Sequence, residues 1–162
     1  MNHKRVFGIV GWKNSGKTTL VARLVAEFRR RGWKVATVKH AHHAVDIDQQ
    51  GTDSWQHRAA GATEVALVGG QRYAIMREQA DATLPEILAR LAPADIVLVE
   101  GYKREPHLKI EVRSDDARPA LAAEDPAVVA IAADEKPAES ALPWFTRDDI
   151  AVMADFIESQ FD

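Results

Sequence analysis

The segment Gly11-Trp12-Lys13-Asn14-Ser15-Gly16-Lys17-Thr18 constrains this chain more than any other. It follows a short apolar run, Val6–Val10, and opens a stretch whose apolar residues (Leu20, Val21, Leu24, Val25, Phe28) recur at helical spacing. A strand, a glycine-rich turn and a helix in that order, with the spacing GxxxxGKT, form a phosphate-binding loop. Each part has a physical task. The glycines permit unusual backbone angles and let amides approach phosphate oxygens. The start of the helix adds a partial positive charge. Lys17 can reach the β- and γ-phosphates, and the Thr18 hydroxyl can join a magnesium shell. The loop also dictates a fold class, because a fully apolar strand feeding a helix belongs to an α/β protein with a mainly parallel sheet and helices on both faces.

The rest of the chain reads consistently with that class. Helices are expected over residues 17–31, 53–60, 84–91 and 147–161, the last with Thr146 and Asp149 in capping-box positions. Strands are expected over 35–39, 64–68, 72–76, 95–99, 108–112 and 128–132, with Gly69-Gly70-Gln71 as a hairpin-like turn. With 162 residues, 46% of them hydrophobic and 28% charged, the expectation is one nucleotide-binding domain over residues 1–162. A chain without cysteine has no disulfide and no thiolate metal site, which fits a reducing compartment. The polar N-terminal residues do not resemble a signal peptide, and no apolar run approaches the roughly 20 residues that span a bilayer, so a cytoplasmic location without membrane attachment is expected. A net charge of −3 gives no global attraction for nucleic acid, so any phosphate is held by a local site.

Ligands of parallel sheets bind beyond the carboxyl ends of the strands. Gly11, His40 and Glu100 each stand at or just past a strand end, so they are expected along one edge. A phosphate-binding loop needs a neighbouring carboxylate for its magnesium, and Glu100, at the end of the most apolar strand, supplies one; Asp95 lies at the wrong end of the same strand. The plainer alternative for Glu100 is a salt-bridged or helix-capping acid. Residues 39–48, KHAHHAVDID, hold His40, His42, His43, Asp46 and Asp48. Imidazoles and carboxylates suit a transition metal, but a solvated polar loop has the same composition. Following the strand beside the phosphate loop, the segment is placed to contact magnesium (Asp46), the γ-phosphate or a second substrate, with Asp53 just beyond. The strand Leu108-Lys109-Ile110-Glu111-Val112 alternates apolar and charged residues, the pattern of a sheet edge available to a second copy of the chain.

Taken in order, GWKNSGKTT, VKHAHHAVDID, GTDSWQHRAAGAT and IVLVEGYK resemble the family of molybdopterin-guanine dinucleotide biosynthesis protein B (MobB), over about Val6 to Val112. The resemblance implies a GTP-binding accessory protein with magnesium, at most a weak GTPase. It would be dimeric and would assist a partner enzyme, the molybdopterin guanylyltransferase that joins GMP to molybdopterin. Carried over by residue, Gly11–Thr19 would hold phosphates, Thr18 and Glu100 would serve magnesium, and His40, His42, His43, Asp46, Asp48 and Asp53 fall in the family's next blocks. Asp134 follows the last expected strand, where GTPases often place an acid that reads guanine; the alternative is a plain loop acid. Two other functions are compatible with a phosphate-binding loop. A small-molecule kinase would want a lid rich in arginine, to which Arg113 and Arg118 are the candidates. A nucleotide-dependent metal carrier would rest on the His/Asp segment, although such carriers usually have longer His tracts or a Cys.

Overall fold

The computed structural model describes residues 5–41, 46–114, 118–138 and 140–162. The chain forms two compact units, one made of the chain up to His40 together with Leu84–Asp162, the other of Ala41–Thr83.

The first unit is a six-stranded, all-parallel sheet. Its strands are β1 (Val6–Val10), β2 (Val35–Lys39), β5 (Ile96–Glu100), β6 (Lys109–Val112), β7 (Val128–Ala132) and the two-residue β8 (Trp144–Phe145), ordered β2-β5-β1-β6-β7-β8. Among the described residues this unit has three α-helices, α1 (Lys17–Arg30), α3 (Leu84–Arg90) and α4 (Ile150–Ser159). Side chains alternate across β5 and divide the core in two. Ile96 and Leu98 face a cluster with Leu20, Leu24 and Phe28 of α1 and Met153 and Ile157 of α4. Val97 and Val99 face the other side, with Val38 and Leu84 of α3. Both faces are therefore covered, as the apolar strands require. Helix α1 stops where expected: Gly32 lies at φ +86°, and the Trp33 N–H returns to the Phe28 carbonyl at 3.0 Å. Arg31 then ties α1 to α4 by bonds to Glu27, Asp155, Glu158 and the Ala151 carbonyl.

Two expectations need correction. Strand 109–112 is not an edge, since β6 lies between β1 and β7 and both Lys109 and Glu111 are completely buried. Their charges are satisfied inside the protein. The Lys109 ammonium donates to the Lys103 and Glu105 carbonyls (3.1 and 2.6 Å) and to Asp125 (2.6 Å). The Glu111 carboxylate accepts the Leu121 and Ala122 N–H groups, each at 3.0 Å, at the start of a 3₁₀ turn over Leu121–Ala123. Helix α4 begins at Ile150 rather than at residue 147. The residues ahead of it form half a capping box: Thr146 N–H donates to Asp149 at 2.9 Å, while the Thr146 hydroxyl accepts from Asp148 N–H at 3.3 Å. The short strand β8, absent from the sequence reading, precedes this turn.

The second unit holds α2 (Asp53–Ala59) and the antiparallel hairpin β3 (Glu64–Val68) with β4 (Tyr73–Arg77). Arg58 gathers it by ion pairs to Asp46 (2.5 Å), Asp48 (2.8 Å) and Glu78 (3.1 Å). On the hairpin, Leu67, Val68, Tyr73 and Ile75 are exposed.

Candidate functional site

β1 delivers the chain to Gly11, whose φ of +151° and crowded surroundings exclude a side chain: a Cβ there would lie 2.4 Å from the Val112 carbonyl oxygen and 2.7 Å from Ser15 Oγ. Two left-handed residues, Asn14 (φ 64°) and Gly16 (φ 93°), then curl the loop onto the first turn of α1. Gly16 is the N-cap of α1 and makes no side-chain cap, so the helix opens with amides rather than a side-chain oxygen. Lys17 Nζ donates to the Trp12 carbonyl at 2.6 Å and to Ser15 Oγ at 3.4 Å, arching back over the loop. Burial holds its ammonium below the ordinary lysine range, and the Glu100 carboxylate opposes that shift.

The register of the sheet brings in the acid. Ile9 pairs with Glu100, and Glu100 pairs in turn with Lys39 at the end of β2. Glu100 is buried, and its Oε1 accepts the Thr18 hydroxyl at 2.8 Å and meets Lys39 Nζ at 3.2 Å. Lys39 Nζ also donates to Thr18 Oγ1 at 3.2 Å. A hydroxyl and a carboxylate in contact at the start of a phosphate-loop helix are the hard oxygen donors that magnesium takes alongside phosphates and water. These two residues fit that ion, provided that Lys39 yields its place on the carboxylate.

Around this centre the structure gathers Lys39, Lys103 and Tyr102, to which the sequence reading gave no role, together with Trp12 and His40, which it named. Lys39 had a signal in the sequence, its place at the end of the expected strand over residues 35–39. Lys103 stands 4.0 Å over the Trp12 ring, and Trp12 Nε1 donates to the Pro119 carbonyl at 2.9 Å, bracing the loop from both sides. Gly101 (φ +90°) lets the chain pass His40, which would lie 3.1 Å from a Cβ there; His40 stacks on Tyr102 with ring centroids 4.5 Å apart. On the β6 side of the loop a cavity of about 190 Å³ is lined, among the described residues, by Trp12, Lys13, Asn14, Ser15, Val112, Arg113, Ser114 and Arg118, three of them cationic. Asp134 follows β7 as expected and pairs with Arg147.

Thr19 is exposed in the first turn of α1. Asp46, Asp48 and Asp53 belong to the second unit: the first two are ion-paired to Arg58, and Asp53 begins α2, where a carboxylate complements the helix start. His42 and His43 lie outside the described residues.

The model of the family MobB, molybdopterin guanine dinucleotide synthesis protein B, matches residues 6–134. The chain belongs to the MobB family. It is 36% identical to the molybdopterin-guanine dinucleotide biosynthesis adapter protein of Haemophilus influenzae over 161 residues, covering 98% of this chain and 90% of that protein. It is 33% identical to the adapter protein of Escherichia coli over 159 residues, covering 94% and 90%. In three dimensions the chain matches a crystal structure of molybdopterin-guanine biosynthesis protein B with a TM-score of 0.77 at 28% identity, covering 96% of this chain and 99% of that one. It matches Bacillus subtilis MobB with a TM-score of 0.76 at 28% identity, covering 98% of each. The MobB match extends past Val112, where the resemblance read from the sequence ends, to Asp134, two residues beyond β7.

Proposed function

We propose that this MobB protein is an adapter in molybdopterin-guanine dinucleotide synthesis that binds GTP with magnesium and serves a guanylyltransferase partner rather than turning over nucleotide quickly by itself. The observation that carries the nucleotide part is the contact of Thr18 with Glu100 at the start of α1, whose N-cap Gly16 is in the left-handed conformation. Main-chain amides of residues 13–18 and the Lys17 ammonium would hold the β- and γ-phosphates. Thr18 and Glu100 would hold magnesium, which when bound supplies positive charge between the phosphate oxygens. Lys39 would then turn from Glu100 towards the terminal phosphate. Asp134 would accept from N1–H and the 2-amino group of guanine, donors that adenine lacks. The adapter part follows from the family and from the names of the relatives. Both units would act as one functional domain, and two copies would associate; β6 is central, so the sheet edges left to such a pairing are β2 and β8. No helix among the described residues is long and apolar enough to cross a membrane, which suits a cytoplasmic adapter.

Calorimetric titration with GTP, GDP and ATP, each with and without Mg²⁺, tests the nucleotide part. Adding the protein to a reconstituted synthesis of molybdopterin guanine dinucleotide tests the adapter part. Magnesium-dependent GTP binding and a stimulated yield are expected. Failure to bind any triphosphate, or a yield unchanged by the protein, defeats the corresponding half.

A further inference from the structure

The register of β7 with β8 sets Phe145 beside Ala132, so the two chain ends leave the sheet together. Two residues further along each, Asp134 and Arg147 meet as an ion pair. The two partners are not alike. The Asp134 side chain is 71% exposed and that of Arg147 only 27%. Arg147 Nη1 stands 3.5 Å from the Ser15 carbonyl and is the atom that a Cβ on Gly16 would meet, at 3.1 Å. Its Nε is buried and has no hydrogen-bond partner among the described residues. The backbone that carries Arg147 is fastened as well, since Arg23 of α1 donates to the Arg147 carbonyl and to Asp148, both at 2.8 Å. The guanidinium therefore spans from the phosphate loop to Asp134, on a turn anchored to the phosphate-loop helix.

We infer that Arg147 is a positioning residue for nucleobase discrimination. It sets the Asp134 carboxylate at a fixed place relative to Gly16, and so relative to phosphates held at the start of α1. A carboxylate on an exposed loop has several rotamers, and two parallel hydrogen bonds to guanine require one of them. The planar fork of arginine selects an orientation that an ammonium would not. One side of the carboxylate is taken by Arg147 and the rest faces solvent, open to the N1–H and 2-amino donors. The cation also offsets repulsion between Asp134 and a polyphosphate. This rests on the reading that GTP occupies the phosphate loop with Asp134 at its base.

The test compares dissociation constants for GTP, ATP and xanthosine triphosphate, with Mg²⁺, in the wild type, R147A, R147K, D134N and D134N/R147A, with circular dichroism as a check of folding. In R147A the preference for GTP over ATP is expected to fall about tenfold, and R147K should recover only part of that, within about threefold of R147A. D134N should move preference from guanine to xanthine, and adding R147A to it should change the GTP/ATP ratio no further. A parallel loss of GTP and ATP in R147A makes Arg147 a phosphate contact and overturns the inference, as does full rescue by lysine. If D134N leaves the ratio unchanged, Asp134 does not read the base and the inference falls with it. If no nucleotide binds the wild type, the earlier reading fails instead.

Discussion

Replacing Lys109 with methionine should destabilise the protein out of proportion to one strand residue. Methionine keeps the unbranched apolar stem, so packing is nearly conserved and the loss is that of the ammonium. The side chain is completely buried and donates to Asp125 and to two main-chain carbonyls, Lys103 and Glu105. Removing one member of a buried pair costs about 3–5 kcal/mol, because the partner is left uncompensated. Asp125 keeps 28% of its side-chain surface in water, so the low end, about 3 kcal/mol, applies. For a chain of this length that is a fall in Tm of about 6–12 °C. Thermal melts by circular dichroism, with urea titration for the free energy, measure it. K109M/D125N should regain part of the loss by removing the orphaned charge. A K109M loss below about 1 kcal/mol would refute the reasoning, since the buried charge would then be doing no more than an exposed one. A second reading comes from pH. Burial, and next the Lys109 charge, lower His107 from 6.5 to about 4. A histidine held neutral in the fold contributes stability that is present above its unfolded pKa and lost as pH falls from 6.5 through about 4. The gap is worth at most about 3 kcal/mol, or about 2 after allowing for solvent screening of the partly exposed ring. In K109M the folded pKa of His107 should rise towards its ordinary value, so this acid limb should be smaller and should end at higher pH.

Further outcomes are expected at the candidate site. Lys17→Ala should abolish triphosphate binding by calorimetry while the fold, read by circular dichroism, survives; undiminished affinity would sink the phosphate-loop assignment. Glu100→Gln should weaken binding more with Mg²⁺ than without it, and an equal fall in both would assign Glu100 a structural role. The isolated protein should hydrolyse GTP far below the enzyme median of about 10 s⁻¹, and fast turnover without a partner would mark it as an enzyme. Light scattering with GTP and Mg²⁺ should give a dimer at micromolar concentration, and a monomer would defeat the proposed association.

How much of this was legible beforehand varied with the physics involved. The run from Val6 to the end of α1 was readable because strand, glycines, lysine and helix period agree locally. Glu100 was readable because an acid closing a wholly apolar strand has few reasons to be there. β6 was misread because period-two reasoning assumes that charges seek water, whereas Lys109 and Glu111 find partners in segments up to 16 residues away. Arg147 left no local trace. It gains its place from the pairing of a two-residue strand with β7 and from Arg23, 124 residues distant in the chain. For Asp46 and Asp48 residue type left both a metal ligand and a solvated loop acid open, and neither reading named the arginine, ten or twelve positions on, that both acids meet.

The register that sets Ile9 beside Glu100 and Val10 beside Glu111 has a consequence for how the chain can change in length. Within Ile96–Glu100 a single inserted residue would carry Glu100 to the opposite face of the sheet and Val99 into its place, so the contact with Thr18 and the division of the core would be lost together. In Lys109–Val112 the same insertion would expose neither charge to water but would strip both of their partners. The hairpin tip between Val68 and Tyr73 has no such ruler beneath it, as Gly70 has no heavy atom within 4 Å of a would-be Cβ. Sequence length should therefore be rigid along the inner strands and free at that tip, and a tag or fluorophore inserted at Gly70 should leave the hairpin folded.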